Sequence, residues 1–280
     1  MIPAPFDYFR PQSLDEALSL LTEHEDAKVL AGGHSLIPAM KLRLAQPKTV
    51  IDICRVADLG YIREEDGRIV IGALATHYEI ESSKLLRDRC PLLPEVAPQI
   101  GDVQVRNKGT LGGSLVHADP ASDWPAAILA LDAELTIAGV NGRRSVRAAD
   151  FFVGMMQTAV QSNEILCAIQ VPATAKSVAY VKSAQKASGF AIAGVATVVD
   201  TVGKSAAIGI SGVAAKPYRA AAVERALAGE ALTMQTVVSA SAKAAEGIDP
   251  LGDIHASAEF RAHLAQVNTR RALELALSRT

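Results

Sequence analysis

Ala31-Gly-Gly-His-Ser35 and Thr110-Leu-Gly-Gly-Ser114 are the two stretches on which the reading of this chain turns. Each places a pair of adjacent glycines just ahead of a serine. Glycine lacks a Cβ and takes positive φ freely, so successive backbone N–H groups in such a turn can converge on an anion, with the hydroxyl as a further donor. At a helix start the aligned peptide dipoles add to the attraction for a phosphate. Two such turns are suited to embracing one pyrophosphate. For either stretch alone, the plainer alternative is a tight strand-to-helix turn.

The flanking sequence supports a strand before each turn or a helix after it. Residues 28–31 form a short apolar strand, 36–40 open a helix with Ser35 near its cap, and 49–53 read as a strand. Upstream, Ser13-Leu-Asp-Glu16 is a capping box for an amphipathic helix over 14–24. This is a small α/β lobe. A second, α+β lobe follows: a strand at 68–72, a capping box at Thr76-His-Tyr-Glu79, a helix over 92–100, the polar loop Asp119-Pro-Ala-Ser-Asp123, a helix over 124–131, strands at 134–140 and 143–146 about the type I′ signal Asn141-Gly142, and a strand at 164–171. A boundary is expected at 172–176. Beyond it lie antiparallel strands at 179–183, 191–199 and 206–213, the last two joined through 200–204, and helices near 219–228, 233–246 and 257–278.

Bulk composition narrows the function classes. The chain has 280 residues, 49% hydrophobic and 21% charged, as a globular protein does, and its formal net charge of −2 gives no basic surplus for nucleic acid or anionic membrane. Cys54, Cys90 and Cys167 are scattered without a CxxC, and the six histidines form no HExxH, so no local motif builds a zinc site or an iron–sulfur cluster. Free thiols, no apolar run near the ~18 residues of a membrane span and no signal-peptide core predict a cytoplasmic protein. Gly203-Lys204-Ser205 lacks the leading glycine of a P-loop, Gly209-Ile-Ser-Gly212 misses the nucleophile-elbow spacing, and no GxGxxG follows a strand.

Taken in order, Met1-Ile-Pro-Ala-Pro-Phe-Asp-Tyr8, Ala31-Gly-Gly-His-Ser-Leu-Ile-Pro38, Arg106-Asn-Lys-Gly-Thr-Leu-Gly-Gly-Ser114 and residues 119–125 resemble the flavin-binding medium subunits of molybdenum hydroxylases. The carbon monoxide dehydrogenase type is the nearer pattern and the xanthine dehydrogenase flavin domain the more distant; the similarity runs over essentially the whole chain. It implies an α+β fold: a two-lobed FAD-binding domain of the PCMH type, with lobes at 1–57 and 58–175, then a smaller C-terminal domain of antiparallel sheet plus helices at 176–280. It further implies that Val29, Leu30, Ala31, Gly32, Gly33, His34, Ser35 and Leu36 hold the FAD pyrophosphate from one lobe, and Thr110, Leu111, Gly112, Gly113 and Ser114 from the other. Asp123 matches the residue on the cofactor's polar portion, Leu166 and, more weakly, Ile100 match apolar contacts, and Lys182 matches a cation near the flavin, the alternative being an exposed strand lysine. Gly189 and Phe190 stand where close relatives carry aspartate and tyrosine; Phe190 can cover the ring but offers no hydrogen bond.

His34 is read as a loop-ordering or phosphate-contacting side chain, and the chain is expected to hold neither a catalytic base nor a metal. Phe6, Tyr8 and Phe9 are expected to pack the N-terminus rather than form an interface. The implied function is an oxidoreductase subunit that passes electrons from [2Fe-2S] clusters of a small partner subunit through FAD to an external acceptor. A large partner would carry molybdopterin, in a dimer of heterotrimers. A self-contained FAD oxidase of the same broad fold is the alternative, disfavoured by the compact C-terminal segment. A scaffold that has lost its cofactor is disfavoured by the intact glycines.

Overall fold

The computed structural model describes residues 1–174 and 177–279, so part of the expected boundary at 172–176 lies outside the described residues. The first module contains β1 (Asp7–Phe9), α1 (Leu14–Glu23), β2 (Ala27–Leu30), α2 (Leu36–Lys41) and β3 (Thr49–Asp52). Its strands form a parallel sheet in the order β1-β3-β2, with Phe9 and Val29 both opposite Ile51. The Leu14, Leu18 and Leu21 spacing buries one face of α1 against Ile51 and Ile53. Ser13 Oγ accepts the Glu16 N–H, but the Glu16 carboxylate turns to the Gln12 N–H at 2.7 Å, so only half of the expected capping box forms. Because the strands are parallel, their carboxyl ends share one edge, the edge at which open α/β sheets bind ligands. The first glycine stretch leaves β2 there.

The second module runs through β4 (Ile62–Glu65), β5 (Arg68–Gly72), α3 (His77–Ser82), α4 (Lys84–Arg89), α5 (Leu92–Val96), α6 (Val103–Arg106), α7 (Leu111–His117), α8 (Trp124–Ala130), β6 (Glu134–Gly139), β7 (Gly142–Arg147), α9 (Ala148–Phe151), β8 (Phe152–Gly154), β9 (Gln157–Thr158) and β10 (Ile165–Pro172). The five-stranded sheet β4-β5-β10-β6-β7 is antiparallel throughout. Both limbs of the Thr76–Glu79 capping box form. The hairpin at 139–142 is present, but its turn is not type I′: Gly139 pairs with Gly142, Val140 and Asn141 form the turn with neither at positive φ, and Gly142 alone takes φ +119°. The helix expected over 92–100 ends at Val96 and tightens into a 3₁₀ turn over Ala97–Gln99, where Pro98 removes a donor.

The third module is a four-stranded sheet, β11 (Ser177–Ala184), β12 (Ala191–Asp200), β13 (Ser205–Ser211) and β14 (Tyr218–Arg219), followed by α10 (Ala221–Leu227), α11 (Met234–Ser241) and α12 (Ala258–Leu277). Strand alternation gives this sheet two buried faces. Ala179, Ala193 and Val195 join the core under α12, whereas Val178, Tyr180 and Ala196 join the core of the second module. Helix α8 of the second module lies so close to this sheet that a Cβ on Gly209 would stand 2.0 Å from the Ala126 carbonyl oxygen. Among the described residues no helix is long and apolar enough to cross a membrane.

Candidate functional site

The first glycine stretch is an open cradle of amides. Gly33 takes φ +75°, and Ser35, in the helical region, makes no side-chain cap bond to α2. The expected capping by Ser35 is therefore not made. Among the described residues the amides of Gly32, Gly33, His34, Ser35 and Leu36 donate to no acceptor within the chain, while the carbonyls of Gly33 and Ser35 accept from Ile37 and Ala39 in the first turn of the helix. Successive free donors at the carboxyl edge of a parallel sheet have the geometry that can receive an anion. His34 Nδ1 stands 2.9 Å from the Gly32 carbonyl, a contact within the loop itself.

The cradle is braced from below. Cys54 Sγ donates to the Ala31 carbonyl at 3.0 Å, and Asp52 accepts from the Cys54 amide at 2.9 Å and the Tyr8 hydroxyl at 2.5 Å, with Arg10 at 3.4 Å. Burial, then the Asp52 carboxylate, pushes the Cys54 thiol up to about 11, so it stays a donor. Phe6 and Tyr8 are half exposed rather than packed away; Tyr8 works through its hydroxyl.

The second glycine stretch is different. Gly112 and Gly113 lie inside α7, and neither takes positive φ. Their amides are committed: Leu111 N–H donates to Ala75, Gly112 N–H to Ala73, and Gly113 N–H to Thr110 Oγ1 at 3.1 Å. The expected second anion turn is thus a helix start whose glycines serve close approach. A Cβ on Gly112 would meet Ala73 Cβ at 2.5 Å, and one on Gly113 would meet Thr110 Oγ1 at 2.7 Å and Ala31 Cβ at 3.6 Å. On the facing side, a Cβ on Gly32 would lie 2.1 Å from the Lys108 carbonyl oxygen and 2.6 Å from Gly109 Cα. The two stretches are therefore brought together as a seam, the first supplying amides and the second a wall with the Ser114 hydroxyl, 2.9 Å from that of Ser122.

His77, buried behind Gly109, accepts the Trp124 indole N–H at Nδ1, 3.0 Å away. Burial, then the charges of His34 and Arg106, lowers its imidazole to about 4. A histidine held neutral contributes stability that is complete above its ordinary value of 6.5 and is lost as pH falls toward 4. That range corresponds to about 3 kcal/mol. Urea unfolding at stepped pH should show this loss, and His77→Asn, which keeps an acceptor for Trp124, should flatten the limb.

Asp123 and Lys182 meet where the second and third modules join. Lys182 is not an exposed strand lysine: its side chain is 3% exposed, its Nζ is 2.9 and 3.0 Å from the two Asp123 oxygens, and it donates to the Gln99 carbonyl at 2.8 Å. Burial pushes the Asp123 carboxyl up, opposed by the Lys182 ammonium and the Tyr180 hydroxyl, which donates at 2.5 Å. The loop ahead of Asp123 is gripped by the third module through Ala191 N–H to Ala121 and Gly212 N–H to Pro120. Of the expected apolar contacts, Leu166 is buried in the second module's core beside a bulge in β10, and Ile100 is half-buried against that core. Phe190 is half exposed, ending a loop in which Gly189 takes φ +74°. Neither the burial of His77 nor the role of Tyr180 has a local motif; Tyr180, two residues before Lys182, shares its strand face, which is the signal in the sequence that points to it.

Residues 4–174 match the family model described as the FAD binding domain in molybdopterin dehydrogenase, and residues 178–276 the CO dehydrogenase flavoprotein C-terminal domain. The carbon monoxide dehydrogenase medium chain of Hydrogenophaga pseudoflava is 40% identical, over 100% of this chain and 99% of its own. The glyceraldehyde dehydrogenase medium chain of Sulfolobus acidocaldarius is 36% identical, over 98% of this chain and 99% of its own. A solved carbon monoxide dehydrogenase from Hydrogenophaga pseudoflava superposes with a TM-score of 0.96 at 42% identity, covering 100% of this chain and 99% of that one. With both family models together spanning nearly the whole chain, the chain belongs to the family of FAD-binding medium subunits of molybdenum hydroxylases.

Proposed function

We propose that this chain is the electron-transfer flavoprotein of a molybdenum hydroxylase complex, taking reducing equivalents from [2Fe-2S] clusters on a small partner subunit and delivering them through FAD to an external acceptor. The observation that carries the reading is the row of five unpaired amides over 32–36, which fits the two negative charges of a pyrophosphate. Val29 and Leu30 carry the chain into this row, His34 orders it, and Thr110 and Ser114 close it from the second module. Asp123 anchors the Lys182 ammonium near the ring system, where a cation favours the reduced flavin, with Phe190, Leu166 and Ile100 as the apolar surround. Bound FAD supplies exchange between electron pairs and single electrons.

The relatives named as medium chains support large and small partner subunits; molybdopterin on the large one and a dimer of heterotrimers as the assembly belong to the same proposal. The division into 1–57, 58–175 and 176–280, and a cytoplasmic location, belong to the same proposal. The purified chain given FAD should hold one per polypeptide. Its yellow absorbance should bleach anaerobically when the partner subunits and their substrate are added, and not with a simple alcohol alone. A folded chain that stays colourless overturns the reading.

A further inference from the structure

Tyr180 is fixed at both ends and ties two modules together. Its backbone N–H donates to Glu95 Oε1 of the second module at 2.9 Å, and Glu95 is itself held by Arg279 at 2.6 Å. Its hydroxyl, 3% exposed as a residue, donates to Asp123 Oδ1 at 2.5 Å, the same oxygen that Lys182 Nζ approaches at 2.9 Å. The room for that hydroxyl comes from Gly194, the strand partner of Lys182, where a Cβ would stand 2.4 Å from the Tyr180 oxygen.

The carboxylate is thus shared between a neutral donor and a cation. Every charge of the pair is buried, so each hydrogen bond to it is strong and geometrically exacting. A donor on Oδ1 draws off part of the carboxylate's negative charge and leaves more of the ammonium's field uncancelled.

Resting on the proposed placement of Lys182 beside the flavin, we propose that Tyr180 is a positioning residue that, through Asp123, sets how much of the Lys182 charge reaches the cofactor and so tunes the flavin midpoint potential. The test is a dye-coupled anaerobic titration of the FAD-loaded full chain, with FAD content and thermal unfolding measured alongside. Tyr180→Phe should keep its FAD and show a lower midpoint than the wild type, because Oδ1 then faces the ammonium alone. Gly194→Ala, which pushes the same hydroxyl aside, should shift it in the same direction, and Lys182→Met should lower it most. A Tyr180→Phe chain with bound FAD and an unshifted midpoint, beside a shifted Lys182→Met, overturns the inference and leaves the proposed function standing. An unshifted Lys182→Met removes Lys182 from the flavin and overturns the inference too. Failure of the wild type to bind FAD is the separate failure of the functional reading.

Discussion

Gly32→Ala is expected to lower FAD affinity by at least a hundredfold, about 2.7 kcal/mol, while leaving the far-ultraviolet circular dichroism native. The added Cβ would lie 2.1 Å from the Lys108 carbonyl oxygen and 2.6 Å from Gly109 Cα. Both obstacles are backbone, so no side chain can swing away, and the seam must open by roughly 1 Å or more to restore ordinary contact. Opening it moves the row of amides off the wall built on α7. Gly33→Ala is the informative comparison. There the strain is of another kind, an L side chain at φ +75° against the movable Ile37 Cδ1 at 2.8 Å, and it should cost only about 1–2 kcal/mol. Fluorescence-quenching titrations with FAD rank the two variants; equal affinities would mean that the seam does not set the cradle.

Gly209→Ala should produce the second large effect, on stability and cofactor together. Its Cβ would stand 2.0 Å from the Ala126 carbonyl oxygen and 2.9 Å from the carbonyl carbon, in a helix whose every residue is buried. Overpacking of this sort reaches or exceeds the upper end of the usual range of about 1–3 kcal/mol. For a chain of this size, a cost of about 3 kcal/mol lowers Tm by roughly 6–12 °C. Helix α8 begins next to Asp123, so displacing it also pulls the carboxylate from Lys182, and FAD should bind more weakly. Differential scanning calorimetry with and without FAD measures both parts; a Tm within 2 °C of wild type would show that the α8 packing tolerates the extra methyl group.

Much of this molecule is legible in its amino acids because local chemistry and tertiary context agree. Leu14, Leu18 and Leu21 fall on one helical face, Thr76 and Glu79 cap each other, and the alternating strands after residue 176 pair as their pattern requires. Elements of three or four residues, such as β1 and α6, offer no period to detect and are held by partners distant in the chain; β1 exists because it can pair with β3. The two glycine pairs show the limit most clearly. Gly33 is glycine for its φ, whereas Gly32, Gly112 and Gly113 are glycine because something stands where a Cβ would be. Sequence alone gives both the same signature, and so predicts two anion turns where the fold builds one row of donors and one wall. Lys182 illustrates the same point in electrostatics: a strand lysine reads as exposed until the fold sets Asp123, Tyr180 and the Gln99 carbonyl around its ammonium.

The central claim, that the amides over 32–36 hold the cofactor's phosphates while those of α7 are spent within the chain, is tested most directly by amide hydrogen exchange with and without FAD. Exchange across 32–36 should be fast in the cofactor-free chain and slow at least tenfold on FAD binding, with the amides of Leu111, Gly112 and Gly113 protected in both states. Stoichiometric FAD binding that leaves exchange across 32–36 unchanged would contradict it.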